Sequence, residues 1–118
     1  MLPREFGLIG MTPEATMDAA LEVLWSRVRG RRFEGLKFRR LMDEHRRMCG
    51  VRSPMSRVRI IVTAQSPNPH VTARPAMMRP ATDDGYLELV VWAPECLMHV
   101  DRLLKVVAVT LGLNGDGP

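Results

Sequence analysis

The chain has 118 residues, 46% of them hydrophobic and 25% charged, which is room for one core and too little for two, and which excludes a disordered, collagenous or low-complexity polypeptide. Its net charge of +4 is unevenly spread, because twelve Lys or Arg lie between Arg27 and Arg59 against three acids, a local balance of +9, while the remainder is net −5. No apolar run approaches the roughly 20 residues of a bilayer span and Met1 to Glu5 lacks the apolar stretch of a signal peptide, so a cytoplasmic protein with no membrane partner is expected. Two cysteines, Cys49 and Cys96, are too few for a disulfide framework.

The elements follow in order after an N-terminal extension over residues 1–11. Thr12-Pro13-Glu14 is a helix start, with a hydroxyl cap, a first-turn proline and an acid suited to the helix dipole. Met17, Leu21, Leu24 and Val28 then recur on one face, widened by Ala20 and Trp25, until Gly30 ends the helix. Leu36 to Arg40 alternates apolar and basic residues like a half-buried strand, and irregular chain or helix is expected from there to Cys49 because Leu41, His45 and Met48 keep helical spacing. Residues 57–64 are a strand by their alternating β-branched content.

Four prolines between Ser66 and Asp84 predict a loop, with a short extended piece at Val71 to Ala73. Tyr86 to Trp92 is apolar on both faces, as in a central strand covered on two sides. Pro94-Glu95 opens a closing helix whose Leu97, Val100, Leu104, Val107 and Leu111 share a face, and residues 114–118 are a tail. One α/β or α+β layer domain over residues 12–113 is the expected fold class.

Fifteen of the seventeen cationic side chains are Arg, whose planar fork matches phosphate better than the point charge of Lys does, so the basic region from 27 to 59 points to DNA or another nucleic acid as partner. A solvated charged face is the alternative. His45-x-x-x-Cys49 and Cys96-x-x-His99 each set a thiol and an imidazole one helical turn apart, which is zinc-ligand spacing, although a buried Cys is more often a small hydrophobe. The acids Asp83, Asp84 and Glu88 are poorly spaced for a Mg²⁺ site, and a solvated turn is the simpler account of them. No Gly-rich phosphate loop or nucleophile elbow is present.

The stretch Leu24-Trp25-Ser26-Arg27-Val28-Arg29-Gly30-Arg31-Arg32-Phe33-Glu34-Gly35-Leu36-Lys37-Phe38-Arg39-Arg40 resembles the opening L-W-x-x-L-R-x-R-x-L-x-G-x-K-F-R-R of a bacterial family of unassigned function related to the very-short-patch-repair endonucleases. Gly85-Tyr86-Leu87-Glu88-Leu89-Val90-Val91-Trp92, followed by Glu95 and Leu97, resembles that family's G-Y-x-V-L-R-F-W strand and last helix, with Val90-Val91 where the family has Arg-Phe. The resemblance implies a restriction-endonuclease-like mixed sheet flanked by the two amphipathic helices, and a Mg²⁺-dependent endonuclease. Between the blocks the likeness fails. Cys49-Gly50-Val51 stands where the family has V-D-F and Ile60-Ile61-Val62-Thr63-Ala64 where it has I-E-x-D-G, so the acids are missing and His70 alone assembles nothing. Repurposing of the centre is one explanation, and a segment 41–84 translated out of frame is another.

Two functions of different class follow. The first is an endonuclease-like domain, catalytically inactive, with no catalytic or metal-binding residue and with Arg29, Arg31, Arg32, Lys37, Arg39 and Arg40 on nucleic-acid phosphate. The second is a non-enzymatic interaction module that forms a homo-oligomer through the apolar run Val106 to Leu111, which its exposed area would decide.

Overall fold

A computed structural model describes residues 12–64, 79–80 and 84–112. The N-terminal extension, the extended piece at 71–73, His70 and the tail lie outside the described residues. The elements are α1 (Pro13–Val28), β1 (Arg39–Met42), β2 (Met48–Ser53), β3 (Val58–Thr63), β4 (Arg79–Pro80), β5 (Leu87–Trp92) and α2 (Ala93–Thr110), with a single 3-10 turn at Arg29–Arg31. They form one mixed sheet in the order β1-β2-β3-β5-β4 and two helices, an α/β arrangement as the sequence predicts.

Helix α1 starts where its capping residues dictate: the Thr12 hydroxyl accepts the Ala15 N–H at 3.0 Å and Pro13 occupies the first turn. Thr16, Ala20, Leu21, Leu24 and Val28 are its buried face. Beyond it, Phe33 and Phe38 tuck into the core with ring centroids 6.1 Å apart. These two rings hold the connection Glu34 to Lys37 between them against the protein, with Lys37 exposed.

The sheet begins with a three-strand antiparallel meander. Residues 41–49 are neither irregular chain nor helix; they are the end of one strand, a hairpin turn and the start of the next. Asp43 causes this, because its carboxylate accepts the backbone N–H groups of His45 (2.7 Å) and Arg47 (3.0 Å), while Arg46 takes the left-handed φ of 62° that closes the turn. The helical spacing of Leu41, His45 and Met48 therefore has no helix behind it. A second hairpin at Pro54 to Arg57 leads into β3, and β5 runs parallel to β3 with Ile60 opposite Leu89 and Val62 opposite Val91.

Both helices lie on the same face of this sheet, so they do not flank it on two sides as the resemblance implies. The buried Cys96 of α2 approaches the Ala20 carbonyl of α1 at 3.7 Å, Arg27 of α1 pairs with Asp101 of α2, and both helices meet the strands. Val51, Val58, Ile60, Val62, Leu89 and Val91 point into that layer and are buried. Strand β5 departs from the expectation of cover on both sides: Leu89 and Val91 are enclosed, whereas Glu88, Val90 and Trp92 on the other face are half-buried. Apolar residues at both parities mark two partly shielded faces and do not require two helical layers. In α2 and its C-cap, Val107 and Ala108 are buried, Val106 and Leu111 half-buried, and Val109 is 55% exposed, so most of the apolar run expected to seek a partner is already covered by its own domain.

Strand β2 carries one steric constraint. A Cβ added to Gly50 would stand 2.0 Å from the Ile60 carbonyl oxygen and 3.1 Å from the Ile61 Cα, both on the rigid backbone of β3. Replacing Gly50 with Ala must push the two strands apart, and overpacking of this kind costs about 1–3 kcal/mol. Thermal or urea unfolding of Gly50→Ala should show that loss. A variant as stable as the parent would contradict the close approach of β2 and β3.

Candidate nucleic-acid interface

The alternation of strand side chains sorts the basic residues onto surfaces that their sequence order conceals. Arg29 and Arg31 sit in the 3-10 turn after α1, Arg31 reaches the Gly35 carbonyl at 3.4 Å, and Arg32 donates to the Ser26 carbonyl at 3.1 Å. Lys37 is exposed on the connection that follows. Arg40 lies opposite the buried Val51, on the helical side, where its guanidinium stacks 4.8 Å from the centroid of Trp25. Its neighbour Arg39 points to the other face. The six candidate residues are thus exposed, and they divide among the turn, the helix edge and the strand face without forming a single cluster.

On the strand face, pairing brings together residues that are distant in sequence. Arg39 of β1 is opposite Arg52 of β2, Arg52 is opposite Arg59 of β3, and Arg59 is opposite Glu88 of β5. Arg59 is held firmly: its Nε donates to Glu88 Oε1 at 2.7 Å, its Nη1 to Asp84 Oδ2 at 2.6 Å, and it lies 5.4 Å from the Tyr86 ring centroid. The hydrogen bond from Arg59, helped by the Tyr86 N–H, keeps the Asp84 carboxyl below the usual carboxylate range. Asp84 and Glu88 thus serve as partners of an arginine; Asp84 is exposed and caps the turn into β5, as the simpler account expects, whereas Glu88 is half-buried on the strand and Asp83 lies outside the described residues.

The next row along the same face is apolar. Leu41 is opposite Gly50, Gly50 opposite Ile61, and Ile61 opposite Val90. Beyond it Thr63 faces Trp92, whose indole N–H donates to the Ala64 carbonyl at 3.3 Å. Sequence order could not reveal Arg52 and Arg59 as companions of Arg39, because the only signal is the register of two hairpins.

Among the described residues no group of three or more His, Cys, Asp or Glu could hold a metal ion. His45 is exposed in the β1–β2 turn and His99 on α2, while Cys96 is buried between the helices, so the two Cys-His pairs with zinc-like spacing do not converge. A separate groove of about 680 Å³ opens between the turn after α1 and α2, but Arg27 and Asp101 in its wall already pair with each other.

Burial raises the pKa of both cysteines, that of Cys96 to about 12, and the Asp43 charge adds to the rise at the half-buried Cys49. The thiolate is the reactive form, so a disulfide reagent should modify Cys49 in the native protein and reach Cys96 only on unfolding. Two thiols titrating together at the same rapid rate without denaturant would contradict this packing.

No family model, curated protein or solved structure matches this chain, so its function is inferred from the residues themselves.

Proposed function

We propose that the chain is an endonuclease-like domain that binds nucleic-acid phosphate and does not cleave it. The observation that carries this is charge left without counter-charge. Of the twelve cations between Arg27 and Arg59, only Arg27 and Arg59 form ion pairs among the described residues. The remaining ten are exposed or half-buried, and cations without a counter-charge are complementary to a polyanion.

Three features support the endonuclease-like part. The chain order of helix, mixed sheet and closing helix is the one that the resemblance implies, although the two helices share one face of the sheet and do not flank it. Positions 50, 61 and 63, which align with the family's acids, fall on one strand face, with Gly50 and Ile61 as direct cross-strand partners. A Cβ at position 50 would meet the Ile60 carbonyl oxygen, so an acid there would need a wider strand spacing, and the side chains present are Gly50, Ile61 and Thr63. They do not fit the Mg²⁺ that the family implies, and the acids nearest in the sheet, Glu88 and Asp84, are occupied by Arg59. The third feature is that residues 41–64 supply Val51, Val58, Ile60 and Val62 to the core at alternating positions, which suits a repurposed centre better than one read out of frame.

Counter-ion release sets the test. If about four phosphates are contacted, affinity for DNA should fall about a hundredfold between about 50 mM and 200 mM salt. Charge reversal at Arg39 and Arg40 together should weaken binding to all sequences alike, and DNA incubated with the protein and Mg²⁺ should keep its length. Salt-independent binding, no binding at low salt, or metal-triggered hydrolysis would each overturn the proposal.

A further inference from the structure

The arginine row on the strand face is complementary at one end and not at the other. At the β3–β5 end Arg59 lies opposite Glu88 and bonds to it, the usual way a sheet pairs charge across strands. At the β1–β2 end Arg39 lies opposite Arg52, and like charges directly opposite destabilise a sheet. Neither is in an ion pair among the described residues, and Glu88 in the row and Asp84 beside it are taken by Arg59. An anion seated between Arg39 and Arg52 would remove that repulsion, and two guanidinium forks from strands about 4.8 Å apart can both reach one phosphate.

The neighbouring row says which kind of anion. About 6.8 Å further along the strands, which is two residues, lie Leu41, Gly50, Ile61 and Val90. Leu41, Ile61 and Val90 are half-buried, and Gly50 between Leu41 and Ile61 adds no side chain to the row. A duplex presents phosphates and keeps its bases stacked inside, so it has nothing apolar to lay on this row. A single strand carries a phosphate and an unstacked base side by side at this spacing.

From this juxtaposition we infer that the strand face is a single-stranded nucleic-acid site, with Arg39 and Arg52 clamping one backbone phosphate and the apolar row Leu41–Gly50–Ile61–Val90 receiving the adjoining base. The inference rests on the phosphate-binding function proposed above and assigns it to one surface and one strand state. Arg59 is excluded from the clamp because its fork is filled by Glu88 and Asp84.

The test uses the full chain and a fluorescein-labelled oligothymidylate of about a dozen nucleotides, compared with the same strand annealed to oligoadenylate. The single strand should bind more tightly than the duplex. Arg39→Gln and Arg52→Gln should each lower affinity for it by about tenfold and reduce the slope of log affinity against log salt by about 0.7. Together they should cost less than the product of the two, because both lose the same phosphate. Arg52→Lys should keep the salt slope while losing part of the affinity. As a readout without ligand, Arg52→Gln should melt at a higher temperature than the parent, since it removes the unmatched pair. If both Gln variants bind like the parent while Gln at Arg29, Arg31 and Arg32 abolishes binding, the clamp is wrong and phosphate binding stands. Duplex preferred over the single strand also overturns it, and absence of any binding at low salt overturns both.

Discussion

The register of β2 against β3 is the constraint on which the remainder of the molecule depends. Gly50 permits it, since its missing Cβ is what lets the strand lie against the Ile60 carbonyl. With that pairing fixed, Val51 and Ile60 meet on the helical side and Arg52 and Arg59 meet on the other. Because side chains alternate with a period of two, a slip of one residue would turn the arginines into the core and the valines out. Core and charged surface are therefore two consequences of one alignment.

This register also gives physical meaning to the absence of the acids that the proposed endonuclease likeness would call for. A nuclease site needs carboxylate oxygens brought within reach of one ion, and adjacent strands do this when acids occupy cross-strand positions. Here those positions hold Gly50 and Ile61, with Thr63 beyond. No carboxylate stands at these positions and Glu88 on the same face is paired with Arg59, so the proposed phosphate contact at the edge meets little opposing charge. Such a site is better suited to holding a phosphodiester than to breaking it.

How far the sequence foretold the structure depended on what each segment used to specify itself. The faces of α1 and α2 and the strands β3 and β5 were legible because burial imposes the periods of 3.6 and 2 directly on Leu21, Leu24, Val28, Ile60, Val62, Val100, Leu104 and Val107. Strand β2 was not, because Met48-Cys49-Gly50-Val51-Arg52-Ser53 has no hydrophobic alternation and includes a glycine whose reason is steric. The hairpin before it is encoded by Asp43 bonding to two backbone N–H groups, a short-range signal easily masked by the helical spacing around it. The candidate residues were individually exposed as expected, but their grouping was not legible. Arg39 and Arg40 are adjacent in sequence and lie on opposite faces, whereas Arg39 and Arg52 are separated by a turn and lie side by side.

Residue-resolved mapping of the contact surface tests the central claim most directly. In an amide chemical-shift titration with oligothymidylate, the account predicts that the largest changes fall at Arg39 to Leu41, Gly50 to Arg52 and Ile61, with little change along α1. Changes confined to the turn at Arg29–Arg31 or to α2, with the strand face silent, would contradict it.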